Sequence, residues 1–413
     1  MKVLVVGSGG REHAICWKLS QDSNVDKIYA IPGNAGISSI ANCLPFKVED
    51  IDSIVKFAKE NRIDWTIVGP ELPLAIGISD KFKENGLEIW GPVKNLAKLE
   101  ASKAFAKEIM RKAGIPTANF RIFDNFGDIK EFLKKERYPL VIKADGLAAG
   151  KGVFIVNNVE EGLEIANKLF NEEILGEAGK KVVVEEFLNG REFSLIAAIK
   201  GEEIYYLPPA QDYKRIGEGN TGPNTGGMGS YAPVPWIDER LIKVCDEKIF
   251  KPLMDEIHKM GLQYEGFLYG GLILVDGEPY VLEFNVRLGD PEAQVILPLL
   301  DFSFLSFKEG TWKDKKIKDK KAVCVVLASK GYPGNYEVGR EIKIRESEEV
   351  IIFHAGTKWV DGKLVTAGGR VLNVVALGES FKEARDKVYK NINNISFENM
   401  YYRKDIALEV ENL

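Results

Sequence analysis

Short β-branched runs alternate with helical periodicity through the first hundred residues, and this alternation restricts the start of the chain to a parallel sheet flanked by helices. Val3–Val6, Lys27–Ile31, Trp65–Val68 and Leu87–Trp90 have strand composition. Between them, Ile51, Ile54, Val55 and Ala58 recur at helical spacing, as do residues of Arg11–Ser20. The loops after three of the strands hold the unusual residues: Gly7-Ser8-Gly9-Gly10-Arg11, Pro32-Gly33-Asn34-Ala35-Gly36 and Gly69-Pro70-Glu71. Open α/β sheets bind ligands beyond the carboxyl ends of their strands, which is where these loops fall.

A helix from about Ser102 to Lys112 leads into a second region, roughly 104–300. Its strands are expected near Leu140–Ala144, Val153–Val156, Lys181–Glu186 and Phe193–Ile199, followed by a helix over 238–260. A hairpin comes next, Gly266–Val275 and Pro279–Val286, turning at Asp276-Gly277, a two-residue hairpin signal. Trp312–Lys321 is charged and without apolar period, so it reads as a solvated linker, with a nucleic-acid patch as the weaker alternative. Beyond it, strands at Ala322–Ala328 and Arg370–Ala376 precede a helix near Ser380–Asn391.

A chain of 413 residues accommodates roughly three domains. Lys plus Arg number 56 against 61 Asp plus Glu, a net charge of −5, which speaks against a general nucleic-acid or anionic-membrane binder. Cys16, Cys43, Cys245 and Cys324 show no metal spacing, and with only His13, His258 and His354 available a Cys/His zinc site is not expected. Scattered cysteines suit a reducing cytoplasm. The opening Met1–Gly7 run is too short for a signal peptide, and no long apolar stretch appears elsewhere. A cytoplasmic protein is the expectation.

The first glycine loop invites a nicotinamide-cofactor reading, but Glu12 stands where that fingerprint needs its third glycine. Ile31-Pro32 occupies the place of the ribose-binding acid, so a dehydrogenase is disfavoured. Glycines ahead of a helix still offer N–H groups to a substrate phosphate, with a plain tight turn as the alternative. Lys143-Ala144-Asp145-Gly146-Leu147-Ala148-Ala149-Gly150-Lys151-Gly152 resembles a Walker A loop superficially. Its glycines 146 and 150 enclose only three residues, and Gly152 replaces the Ser or Thr. Lying between two strands, it reads as a flap closing over phosphates, with Lys143 on the strand and Lys151 on the flap; a simple hairpin is the alternative. Val182–Leu188, followed by Glu192, is an apolar strand ending in acids, suited to an adenine edge and ribose hydroxyls but weak evidence alone.

Val281-Leu282-Glu283-Phe284-Asn285-Val286-Arg287 carries more. Alternation puts Glu283, Asn285 and Arg287 on one face and Leu282, Phe284 and Val286 on the other. A carboxylate and an amide oxygen are hard ligands for Mg²⁺ on nucleotide phosphates, and an arginine one step further can clamp a carboxylate. Pro208–Ser230 is expected to be a long irregular loop for substrate recognition, with Asp212, Lys214, Thr225 and Gly226 among its polar and glycine positions.

A strand lysine, a glycine-rich flap, an acidic hinge and a Glu-x-Asn strand, in this order, resemble the ATP-grasp superfamily. VVGSGGREHA, PGNAG, VGPE, IKADGLAAGKGV, EEFLNGREFS, TGPNTGGMG, EFNVRLGDPEAQ, FHAGTK (353–358) and GGRVL (368–372) are similar to the phosphoribosylamine–glycine ligase family from end to end. The resemblance implies an α/β and α+β multidomain chain. A Rossmann-like parallel sheet would occupy 1–103, an ATP-grasp fold 104–310 with a mobile lid about 121–190, and a small mostly β domain 321–413. It implies ligation of glycine to 5-phosphoribosylamine with ATP and Mg²⁺ or Mn²⁺, and no obligate protein partner. Glu283 and Asn285 would hold metal. Lys103, Lys143, Gly146, Gly150, Gly152, Glu185, Glu186, Phe187 and Leu188 would hold ATP, and Glu192 its ribose. Asp212 and Arg287 would bind glycine, Gly9, Gly10, Asn34 and Glu71 would seat the sugar phosphate, and Lys214, Thr225 and Gly226 would complete the substrate set. Lys143, Lys151, Asp212 and Arg287 form the expected catalytic group. Two departures stand out: Gly266–Val275 holds no acid before Asp276, so phosphates and water would complete the metal shell, and the 301–320 connection is short for the family. Another ATP-grasp carboxylate–amine ligase of purine metabolism, or a nucleotide-binding protein without turnover, is the alternative.

Overall fold

Val3 to Val6 are completely buried, as expected of a strand covered on both faces, and successive residues feed separate cores: Val3 and Val5 one, Leu4 and Val6 the other. This strand, β1 (Lys2–Gly7), pairs in parallel with β2 (Lys27–Pro32), which pairs with β3 (Asn42–Cys43). On its other side it pairs with β4 (Trp65–Val68), itself next to β5 (Ile89–Trp90), giving the order β3-β2-β1-β4-β5. All four pairings are parallel, so the loops after β1, β2 and β4 emerge at one edge of the sheet. The computed structural model describes residues 1–147, 152–313 and 315–413.

Two antiparallel sheets follow. The first has β6 (Phe120–Phe123), β7 (Leu140–Ala144), β8 (Val153–Val156) and β9 (Val182–Glu186) in the order β6-β9-β7-β8. The second has β10 (Arg191–Lys200), β11 (Glu203–Tyr206), β16 (Glu265–Val275) and β17 (Glu278–Asn285) in the order β11-β10-β16-β17. The hairpin β16–β17 turns at Asp276-Gly277, both at positive φ, which accounts for Gly277 at this turn. Its register shifts between Gly271 and Leu272: Gly271 faces Glu283 while Leu272 faces Val281. The extra residue is Leu282. This bulge corrects the strict alternation expected here: Leu282 stays half-buried at the cleft beside Glu283, whereas Phe284 and Val286 are buried.

Two further expectations need correction. Pro208–Ser230 is not irregular: it contains β12 (Gln211–Asp212), β13 (Arg215–Gly217), β14 (Thr221–Asn224) and β15 (Gly229–Ala232). β15 pairs with Lys321–Ser329, so part of this segment extends the six-stranded sheet of the C-terminal region. Strands of two to four residues rich in glycine carry no readable alternation. Trp312 is not part of a solvated linker either. It is 2% exposed and packs on Trp90 and Phe307 at 6.3 and 6.0 Å between ring centres, whereas its charged neighbours Lys313, Lys315 and Lys316 are exposed. No helix among the described residues is long and apolar enough to cross a membrane.

Candidate active site

The loops of the parallel sheet, the facing surfaces of both antiparallel sheets and the edge of the C-terminal region enclose one cleft of about 1310 Å³. Lys143, on β7, is buried with its Nζ 2.9 Å from Glu185 Oε2 and 3.1 Å from the Leu282 carbonyl, which ties the two sheets together. Lys107 approaches Glu185 from the other side, Nζ to Oε1 3.1 Å, and donates to Thr117 Oγ1 at 2.6 Å. Burial pushes the Lys107 ammonium down to about 8 against the opposing pull of Glu185. One buried carboxylate therefore serves two buried lysines.

Around it lie the expected nucleotide residues. Lys103 donates to the Gly146 carbonyl at 3.3 Å, and Gly146, Gly152, Phe187 and Leu188 line the cleft. Phe187 is 39% exposed, an apolar surface of the kind a base stacks on. The Glu186 side chain also borders the cleft, yet its Oε1 is taken by the Asn119 backbone N–H and side-chain amide, both at 2.9 Å. Gly150 and Lys151 lie outside the described residues.

Glu283 projects from β17 toward three lysines. Burial opposes its ionisation, but Lys214, Lys143 and Lys103 outweigh burial and hold its carboxyl below the ordinary range. Asn285, next on the same face, is satisfied when its amide NH₂ donates to Glu100 Oε1 at 3.1 Å, leaving its oxygen as the atom free to meet a cation. Glu100, at the end of the helix Lys94–Ala101, also accepts from the Val286 N–H at 2.9 Å and pairs with Arg287 at 2.7 Å. Arg287 reaches Glu71 at 3.5 Å as well, so the guanidinium assigned to substrate is already held between two carboxylates. Burial works against ionised Glu71, but Arg287 and Arg11 bring its carboxyl below its usual value. For Glu100, burial wins and the carboxyl is raised.

Glu192, Asp212 and Lys214 form the far wall, with Lys214 Nζ 3.4 Å from Glu192 Oε2. Asp212 Oδ1 is buried without a hydrogen-bond partner, and burial, followed by the nearby Glu292, raises its carboxyl well above the normal range. Beside it, the Ser194 hydroxyl meets Tyr269 Oη at 2.8 Å and donates to Glu292 Oε1 at 3.0 Å. Thr225 is engaged within its own loop, its hydroxyl donating to the Lys214 carbonyl at 2.9 Å. Gly226 lines the cleft, its N–H donating to Tyr332 Oη at 2.8 Å and its carbonyl accepting from Arg370 at 2.5 Å.

The N-terminal loops differ most from expectation. Glu12 reaches back to its own helix start, accepting from the Gly9 N–H at 2.6 Å, and its carboxylate fills the space beneath Gly7 and Gly69. A buried carboxylate thus occupies the helix N-terminus that was expected to receive phosphate and satisfies the Gly9 N–H there. Gly10 packs against Gln294 and Asn373, away from the cleft. Asn34 spends its amide on the Ser8 and His354 carbonyls and on the Gly36 and Ile37 N–H groups, all at 2.8–2.9 Å. It clamps the loop and does not line the cleft. Gly9 and Glu71 do line it.

Glu12, Glu100, Lys107, Tyr332, Tyr336 and Arg370 also border the cleft, although none was among the site residues expected from the sequence. Lys107 was findable, four residues from Lys103 on one helix face. Arg370 sat inside the quoted GGRVL segment; Glu100 and the tyrosines gave no signal beyond charge and aromaticity.

Comparison with known proteins agrees with this geometry. The chain matches the family models for the phosphoribosylglycinamide synthetase N domain over 1–100, its ATP-grasp (A) domain over 101–293 and its C domain over 322–409. It is 53% identical to a phosphoribosylamine–glycine ligase of Caldanaerobacter subterraneus subsp. tengcongensis over 98% of this chain and 99% of that one. The crystal structure of a phosphoribosylamine–glycine ligase from Thermotoga maritima superposes with a TM-score of 0.87 at 40% identity, covering 98% of this chain and all of that one. A biotin carboxylase domain from Hydrogenobacter thermophilus, in complex with MgADP and bicarbonate, shares the fold at a TM-score of 0.73 and 15% identity, covering 97% and 91%. The chain belongs to the phosphoribosylglycinamide synthetase family, the ATP-grasp ligases that join phosphoribosylamine to glycine.

Proposed function

We propose that the cleft performs the family's reaction, the ATP-dependent ligation of glycine to 5-phosphoribosylamine in purine biosynthesis, as a cytoplasmic step, with its residues divided among three subsites. The observation that carries this division is the meeting of the Lys143–Glu185–Lys107 cluster, the Glu283/Asn285 pair and the unpartnered Asp212 oxygen in one cleft. The division of the chain at 1–103, 104–310 (lid about 121–190) and 321–413 belongs to the same reading.

ATP lies between the two antiparallel sheets, its base against Phe187 and Leu188, its ribose near Glu192 and its phosphates toward Lys103 and Lys143. Glu283 and Asn285 suit a hard divalent cation: one ionised carboxylate and one free amide oxygen share a face. Gly271 faces Glu283 across the hairpin and offers no third ligand, and no cluster of three His, Cys, Asp or Glu suited to a metal occurs among the described residues. Nucleotide phosphates and water would complete the shell. Bound there, Mg²⁺ or Mn²⁺ would offset charge on the phosphate oxygens.

Glycine lies with its ammonium at Asp212 and its carboxylate toward Arg287. A glycine carboxylate oxygen attacks the γ-phosphorus, the bond to the β-phosphate bridging oxygen breaks, and ADP leaves with glycyl phosphate behind. The phosphoribosylamine nitrogen then attacks the acyl carbon, phosphate departs and the nitrogen loses a proton. The protein supplies position and charge and needs no side-chain nucleophile. Glu71, Gly9 and the C-terminal Tyr332 and Arg370 border the space left for the sugar phosphate, whereas Gly10 and Asn34 support it from outside.

Steady-state kinetics of Asp212→Asn test the glycine subsite. The KM for glycine is expected to rise about 10- to 100-fold, the loss of one charge-assisted contact, while the KM for ATP stays within about twofold. An unchanged glycine KM would remove Asp212 from the ammonium role.

A further inference from the structure

The last residues of the chain are bound, side chain by side chain, to the loop that presents Asp212 and Lys214. Those two residues line the cleft; Tyr213, between them, points the other way, as extended backbone requires. Its hydroxyl donates to the Glu409 carboxylate at 2.5–2.6 Å and accepts the Ala407 N–H at 2.8 Å. The Arg403 guanidinium lies 5.0 Å from the centre of its ring.

Arg403 is 0% exposed, and its donors are shared between tail and loop. Nε and Nη2 form a fork on Asp405 at 2.8 and 2.7 Å, while Nη1 donates to the Arg215 carbonyl at 3.0 Å and to Asn220 Oδ1 at 3.1 Å. Asp405 in turn accepts the Gly219 N–H at 2.8 Å, and Tyr401 Oη donates to the Ile216 carbonyl at 2.7 Å. The tail is itself fixed to the helix Phe381–Ile392, where Arg385 donates to the Lys404 and Ile406 carbonyls and Tyr389 Oη to the Arg403 carbonyl. By contrast, the β13–β14 hairpin it grips is a two-stranded ribbon with a register shift and an exposed turn, a structure with little stability of its own.

We propose that the segment Tyr401–Glu409 is a positioning element for the glycine subsite: by gripping Tyr213 and the β13–β14 hairpin, it sets where Asp212 and Lys214 stand. Neither Arg403 nor Glu409 lines the cleft; both act through Tyr213 and the hairpin backbone. The proposal rests on the glycine assignment of Asp212 given above.

Arg403 variants risk unfolding because the side chain is fully buried, so two milder changes carry the test. Tyr213→Phe removes only the hydroxyl, and Glu409→Ala alters an exposed residue. In the full-length enzyme, each is expected to lower kcat/KM for glycine about 10-fold or more, in line with the steep dependence of rate on placement, while the KM for ATP stays within about twofold. Because Tyr213→Phe already removes the link that Glu409→Ala breaks, the double variant should fall little further than Tyr213→Phe alone. Glycine kinetics unchanged in both folded variants, or equal losses for glycine and ATP, would overturn the proposal. Asp212→Asn separates the two possible failures. If it raises the glycine KM while the tail variants do nothing, the tail proposal alone falls; if it has no effect on glycine, the subsite assignment falls and the tail proposal with it.

Discussion

Glu185→Gln is expected to destabilise the protein by about 3–5 kcal/mol and to weaken ATP binding at the same time, because it leaves two buried ammonium groups without their shared carboxylate. Glu185 is 2% exposed, with Lys143 2.9 Å from one oxygen and Lys107 3.1 Å from the other. The amide that replaces it turns a donor toward at least one of two donors. The loss should depend on pH in a defined direction. Burial holds the Lys107 ammonium down to about 8, below the ordinary 10.5, so between these values the unfolded chain binds more protons at this site than the folded one and stability rises with pH. Without Glu185 its pKa falls further, the folded state sheds the proton more readily, and the penalty seen near pH 7 shrinks toward pH 10. Denaturant melts of both proteins at pH 7 and pH 9 check this; a variant as stable as the parent at pH 7 would show that the cluster is not held by its carboxylate.

The second large effect is on turnover. Glu283→Ala is expected to reduce kcat by about a thousandfold or more, the equivalent of about 4 kcal/mol of lost transition-state stabilisation. The fold should survive. Glu283 faces the cleft from an edge strand, so its removal opens no cavity in the core. Lys214, Lys143 and Lys103 remain, so binding of ATP without metal should be retained while the response of turnover to added Mg²⁺ or Mn²⁺ disappears. Thermal melts and metal titrations of activity measure both halves. Turnover like that of the parent would refute the metal role of this carboxylate.

Whatever depends on local pattern could be read from the sequence. The parallel start, the hairpin at Asp276-Gly277 and the strand that carries Glu283 and Asn285 all follow from period-two or period-3.6 patterning and turn chemistry, although that strand ends at Asn285 and Arg287 lies in the bend after it. What escaped reading depends on which groups meet across the fold. The Leu282 bulge needs the partner strand to be visible. Glu12 looked like a failed glycine fingerprint, and only its return to Gly9 shows it filling the helix N-terminus that seemed free for phosphate. Lys107 and Glu100 act through residues 78 and 186 positions away, Glu185 and Val286, contacts that no local window contains. Pro208–Ser230 stood out by length alone; its β13–β14 ribbon pairs within itself, while β12 and β15 join a sheet only because β15 takes a partner from Lys321–Ser329, far away in sequence.

The most direct measurement is ADP release by purified protein with ATP and Mg²⁺, adding glycine and freshly generated phosphoribosylamine separately and together. The expected result is sustained release only with both, accompanied by glycinamide ribonucleotide in the mass spectrum. Sustained ADP release that is indifferent to glycine would contradict it, leaving the ATP-grasp fold in place but the carboxylate substrate misassigned.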